Sequence, residues 1–138
     1  MSWNDVRRLL IVKPSSLGDV VHALPTLSAL RRRFPSARLA WLVKREWVDV
    51  LEGNPDLDEV LPVDLSAKGW PAAIRAVRAG RFDLVVDLQG LLRSAVLSWA
   101  SGSPARVGFA KAGRAVPGST PIVCPSPTHP CMRWIAIC

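Results

Sequence analysis

Two short stretches hold residues whose types and order could do chemistry. The first is Pro14, Ser15, Ser16, Leu17, Gly18, Asp19. Small side chains and a glycine let backbone amides face a ligand, and a helix N-terminus at this point favours an anion. The carboxylate of Asp19 can accept a proton, or it can be a first-turn acid that complements the helix dipole, and the spacing leaves both readings open. The stretch is neither a GxGxxG fingerprint nor a P-loop, since it has no second glycine in register and no Gly-Lys-Ser/Thr ending, so nucleotide cradling is disfavoured. The second stretch holds Gln89, Gly90 and Arg93. Gly90 permits close approach of backbone to a ligand, or simply a strand-to-helix turn. Arg93 offers a guanidinium suited to a bidentate carboxylate contact, or a solvated helix residue.

The elements that must position these residues alternate strand and helix. Residues 9–12 form a continuous apolar run, as a strand buried on both faces does. Val20, Val21, Leu24, Leu27 and Leu30 then recur at helical spacing, with Pro25 kinking the helix or marking the first turn of its main segment. Residues 38–44 read as a second strand. Trp47, Val50 and Leu51 lie on a short helix that Gly53 and Pro55 end. Residues 59–63 make a third strand, 71–79 a helix closed by Gly80 with Arg75 and Arg78 toward water, and 84–88 a fourth strand. A helix over 91–100 and a strand over 106–109 complete the pattern. Such alternation implies an α/β, Rossmann-like parallel sheet with helices on both faces. In an open sheet of this kind ligands bind beyond the carboxyl ends of strands, where both chemical stretches fall. His22 lies inside the first helix and is better read as packed or hydrogen-bonded in the core than as catalytic.

Composition narrows the function. The chain has 138 residues, enough for one domain, with 49% hydrophobic and 21% charged residues, a globular balance. No apolar run approaches the roughly 18 residues of a membrane span, and the N-terminus lacks a secretory signal, so a cytoplasmic location is expected. The net charge of +7 invites a nucleic-acid reading. Residues 1–112, however, carry 16 basic and all 11 acidic side chains, interspersed as on a solvated surface. The densest run, Arg31, Arg32 and Arg33, sits at the expected C-terminal end of a helix, where cations offset the dipole. The basic bias suits an acidic ligand or an anionic membrane surface. A small basic α/β module that binds nucleic acid or anionic lipid without catalysis is the competing reading.

Residues 9–27, LLIVKPSSLGDVVHALPTL, resemble the opening of glycosyltransferase family 9, and within it the heptosyltransferase I branch. Residues 83–95, DLVVDLQGLLRSA, are similar to that family's second acceptor-side signature, Asp-x-Gln-Gly-Leu-x-Lys/Arg-Ser-Ala. The resemblance covers about residues 7–112. It implies the N-terminal, acceptor-binding half of a GT-B enzyme of lipopolysaccharide core biosynthesis, acting by metal-free inverting displacement. Asp19 would take the proton from the acceptor hydroxyl. Ser15, Ser16, Gly18, Gln89, Gly90 and Arg93 would bind the acceptor, the Kdo end of a lipid A precursor. The resemblance implies no cofactor and no metal, with ADP-heptose as donor on a C-terminal domain that this chain lacks. It implies peripheral association with the cytoplasmic face of the inner membrane and no nucleic acid. Many relatives carry a tryptophan- and arginine-rich stretch after the third strand, where residues 64–70 offer only Lys68.

The character of the sequence changes after about residue 112. Residues 113–138 hold five of the twelve prolines, all three cysteines and no acidic residue. Cys124, Cys131 and Cys138 form no CxxC pair, so neither a zinc site nor a closed disulfide framework is expected. Permitted codons for residues 118–138, shifted by two nucleotides from residue 117, can encode WFYTHRVPVPDTPMHAVDRYL, which resembles the family's continuation. A frameshifted, non-native tail on a truncated and inactive chain is therefore expected.

Overall fold

The computed structural model describes residues 3–108. The expectations for residues 113–138, with the three cysteines, lie outside the described residues.

Five strands form one parallel sheet: β1 (Arg8–Val12), β2 (Arg38–Lys44), β3 (Glu59–Val63), β4 (Leu84–Asp87) and β5 (Ala105–Gly108), in the order β3-β2-β1-β4-β5. The four helices are α1 (Leu17–Arg33), α2 (Val48–Leu51), α3 (Trp70–Ala79) and α4 (Leu92–Ala100). The centre of the sheet is apolar on both sides because helices cover both. Leu9, Ile11, Leu39, Trp41 and Val43 pack with Val20, Ala23 and Leu27 of α1 and Leu51 of α2. The alternate residues Leu10, Val12, Ala40, Leu42 and Val85 pack with Ala73 and Val77 of α3 and Leu97 and Ala100 of α4. Period-two alternation thus sorts one strand set into two cores.

Several boundaries differ from the sequence expectation. α1 begins at Leu17, so Gly18 and Asp19 lie in its first turn, and it runs unbroken through Pro25 to Arg33. Exposed Ser16 is its N-cap. The second helical segment is a 3-10 turn over Arg45–Trp47 followed by α2. β4 ends at Asp87, and β5 starts one residue earlier than expected. His22 is exposed on α1 and does not join the core. Gly80 does close α3, but its φ is −66° and the left-handed residue is Arg81. What Gly80 supplies is room, since a Cβ there would collide with the Phe82 ring.

The amino edge of the sheet is tied by charge. Asp83 accepts hydrogen bonds from the backbone N–H groups of Arg7 and Arg8, both at 2.9 Å. Glu59 meets Arg8 at 3.5 Å and Arg38 at 3.3 Å. Arg31 reaches from the end of α1 to Asp58 and to the carbonyls of Asp56, Pro35 and Ala37. Arg33 lies over Phe34 at 4.9 Å. Two members of the arginine run are therefore parts of the fold.

Candidate active site

β1 and β4 are neighbours, yet the chain leaves β1 toward β2 and β3 and returns to β4 on the other side. This reversal opens a crevice at the carboxyl ends of β1 and β4, the usual ligand position in such sheets. The loop after β1 carries Ser15 and Ser16, the first turn of α1 carries Gly18 and Asp19, and the loop after β4 carries Gln89 and Gly90, so the topology brings both stretches to one crevice.

Asp19 stands on the exposed first turn of α1. Its Oδ2 accepts from the Ser16 backbone N–H at 3.3 Å and the Ser16 hydroxyl at 3.0 Å. Both bonds fall on one oxygen, leaving Oδ1 open to a substrate hydroxyl. The Ser16 backbone and side-chain hydrogen bonds, then the charge of Lys13, hold the carboxyl below its ordinary 3.8. It is ionised at neutral pH and can accept a proton. A Cβ on Gly18 would meet nothing within 4 Å, so the space beside this turn is open.

The loop after β4 is organised by a residue absent from the expected set. Asp87 is buried at the end of β4, and its Oδ1 accepts from the N–H groups of Gln89 at 2.9 Å and Gly90 at 3.2 Å. Gly90 has φ of 67°, the left-handed conformation that lets its amide turn back onto Asp87. Burial raises the Asp87 pKa above the ordinary value, opposed by the Gly90, Ser94 and Gln89 hydrogen bonds and the Lys13 charge. Gln89 Oε1 is enclosed and has no hydrogen-bond partner among the described residues. An unmet buried acceptor beside an open crevice is what a ligand donor would satisfy.

Lys13 joins the two loops. Its Nζ donates to the Leu88 carbonyl at 3.3 Å, and its charge lowers the pKa of both Asp19 and Asp87. Its own carbonyl is fixed by the Trp41 indole N–H at 3.1 Å. The available signals were a lysine closing an apolar strand and an aspartate ending another, both inside the quoted signatures.

Arg93 is placed apart from these groups. It lines a cleft of about 730 Å³ at the carboxyl ends of β2 and β3, with Lys44, Arg45, Asp64, Ser66 and Gly69. None of Ser15, Ser16, Gly18, Asp19, Gln89 or Gly90 lines this cleft. The two parts adjoin, because the Lys44 N–H donates to the Pro14 carbonyl at 3.0 Å. Lys68 is not among the lining residues. The cleft's cations come from the end of β2 and from α4, which the sequence reading did not single out at Lys44 and Arg45. Among the described residues no group of three or more His, Cys, Asp or Glu could hold a metal, and no helix is long and apolar enough to cross a membrane.

Comparison with known proteins gives concordant results by sequence and by structure. Residues 70–136 match the profile described as Glycosyltransferase family 9 (heptosyltransferase), a range that includes the second signature. Lipopolysaccharide heptosyltransferase 1 of Salmonella typhimurium is 37% identical over 101 residues, covering 65% of this chain and 32% of the relative. The protein of that name from Pseudomonas aeruginosa is 34% identical over 102 residues, covering 66% and 29%. Among solved structures, E. coli heptosyltransferase WaaC with ADP superposes with a TM-score of 0.62 at 32% identity, over 74% of this chain and 34% of that one. A family 9 glycosyltransferase from Veillonella parvula superposes with a TM-score of 0.72 at 27% identity, over 78% and 33%. The chain spans about a third of the length of these relatives. The β4 loop lies within the matched range, and sequence and backbone point to relatives of one kind: residues 70–136 carry a glycosyltransferase family 9 match, and the described fold is similar to that of the family's heptosyltransferases.

Proposed function

We propose that this chain is the acceptor side of a lipopolysaccharide heptosyltransferase, with Asp19 as general base. The observation that carries this reading is the Asp19 carboxylate, ionised, pinned through one oxygen by Ser16 and open through the other at the crevice. An acceptor sugar hydroxyl placed against Oδ1 loses its proton to Asp19 as its oxygen attacks the anomeric carbon of the donor, and the nucleoside diphosphate leaves from the opposite face. The donor is ADP-heptose, held by a donor-binding half that lies beyond the third of the relatives this chain matches. No metal or cofactor enters the reaction. The acceptor is the Kdo end of a lipid A precursor.

The remaining residues divide the work of recognition. Kdo is a sugar acid, and Arg93, Lys44 and Arg45, which outnumber Glu46 and Asp64 in the cleft lining, supply the positive charge to receive its carboxylates. Gln89 and the Gly90 backbone contact the acceptor from the β4 side, Ser15, Ser16 and Gly18 from the β1 side. Because such an acceptor is lipid-bound, the enzyme works at the cytoplasmic face of the inner membrane as a peripheral protein. The test is Asp19→Asn in a full-length form that includes the donor half. Asparagine also sits well at a helix start, so the fold stays while the proton acceptor goes. kcat should fall by about 10² to 10⁴ with acceptor binding little changed. Turnover within a few-fold of the parent rejects the assignment.

A further inference from the structure

α4 buries two serines beside Leu97 and Ala100 and leaves large apolar side chains outside. Ser94 and Ser98 face inward, exposed by 1% and 6%, while Leu92 and Trp99 are exposed by 77% and 52%. The buried hydroxyls are satisfied by the helix's own carbonyls: Ser94 donates to Leu91 at 2.7 Å and Ser98 donates to Ser94 at 2.8 Å. The serines therefore fit a close helix-to-sheet approach without unmet polar groups. The outer face has no such account. Leu92, half-buried Val96 and Trp99 fall at i, i+4 and i+7, one stripe along the helix, with exposed Leu91 at its head.

We propose that this stripe is the surface by which the protein docks on an anionic phospholipid membrane. Charge selects this occupant. Arg93 flanks the stripe, and residues 88–106 contain no acidic side chain, so nothing on this segment repels an anionic headgroup layer. Leucine with tryptophan is the side-chain pair that enters the headgroup and acyl boundary, the indole N–H staying near water. The stripe begins where the acceptor cleft ends, since Arg93 lies both beside Leu92 and in the cleft wall. Docking through α4 lays the cleft mouth against the leaflet, where a lipid-bound sugar acid would be presented. The membrane as partner rests on the proposed lipid-bound acceptor, whereas the identity of the surface rests on the helix alone.

The test is sedimentation of the 138-residue chain with vesicles of phosphatidylglycerol and phosphatidylethanolamine, free of any lipid A precursor and of sugar nucleotide. The parent chain should bind these vesicles, and phosphatidylcholine vesicles at least about tenfold more weakly. Leu92→Ser combined with Trp99→Ser should weaken binding at least about tenfold, because both side chains lose apolar contact with lipid. Trp3→Ser, also an exposed tryptophan but distant in sequence at the start of the described chain, should leave binding within about twofold. Unchanged binding by the double variant, or an equal loss in Trp3→Ser, overturns the proposal. So does a parent dimer, seen by equilibrium sedimentation, that the double variant dissolves while vesicle binding persists. Vesicle binding with full loss in the double variant but no effect of Asp19→Asn on turnover would reject the catalytic reading and leave the docking surface standing.

Discussion

At the amino edge of the sheet the charges tie separate elements together: Asp83 takes two backbone amides at the start of β1, Glu59 meets an arginine on β1 and one on β2, and Arg31 of α1 reaches Asp58 and three carbonyls. At the carboxyl edge they are held by near neighbours in the chain. Asp19 is bonded through Oδ2 alone, Lys44 meets Glu46 at a loose 3.7 Å, and Gln89 Oε1 has no described partner. The two aspartates of the second signature make the contrast within a single strand, for Asp83 closes the amino end of β4 and Asp87 the carboxyl end. A charge tied between elements holds the sheet together, whereas one held only within its own turn, as Asp19 is, leaves the space beyond it to a ligand.

Substitutions at the two edges should therefore separate activity from stability. The largest effect is at Asp19: Asp19→Asn removes about 10² to 10⁴ of kcat in a full-length enzyme with the melting temperature nearly unchanged. If the melting temperature falls and turnover holds, Asp19 belongs with the amino-edge group. Asp83→Ala should do the reverse, costing about 2 to 3 kcal/mol in denaturant unfolding because two amide donors lose a charged acceptor, with kcat preserved. Arg93→Gln should raise the KM for acceptor about tenfold with kcat little altered, as expected for a carboxylate contact made equally in ground and transition states. A fall in kcat alone would move Arg93 from recognition into chemistry.

Asp87 sharpens the comparison with the smallest effect. Its folded pKa lies above the unfolded 3.8, so the folded state binds the proton more tightly. Its contribution to stability is then fullest below 3.8 and declines as pH rises through the raised folded value. Asp87→Asn keeps an oxygen for the Gln89 and Gly90 amides while removing the charge. Melting temperatures of parent and variant should be close near pH 3, the variant gaining on the parent toward neutrality. A gap of constant size across that range would mean burial is not what sets the Asp87 ionisation.

Much of the fold was legible because hydrophobic period and punctuation agree. The run at 9–12, the helical spacing after it and Gly53 all gave elements within one to three residues of their observed ends. Asp19, Ser16, Gln89 and Gly90 were legible as candidates because each lies just beyond an apolar strand, and the strand order brings the two stretches to neighbouring strand ends. Lys13, Lys44 and Arg45 were not, since their nearness to the crevice depends on strand order, which places the ends of β2, β1 and β4 side by side. α4 was legible as a helix but not in its facing. Ser94, Leu97 and Ser98 share helical spacing just as Leu92, Val96 and Trp99 do, and only packing shows that the serines took the inside. His22 sits among apolar helix residues, yet its position on the turn faces water.

The β1–β4 pairing also gives the crevice a history. Asp19 and Ser16 are three residues apart, so their hydrogen bonds form as soon as the first turn of α1 does. Asp83 meets the backbone of Arg8 across 75 residues, and the neighbouring Lys13–Leu88 contact spans the same separation. Local contacts close quickly and distant ones wait on chain entropy. On a ribosome, which releases the N-terminal end first, β1, α1 and β2 are in place while β4 is still unmade. The base of the crevice is thus set early in synthesis, and its opposite wall arrives only when β4 slides in beside β1.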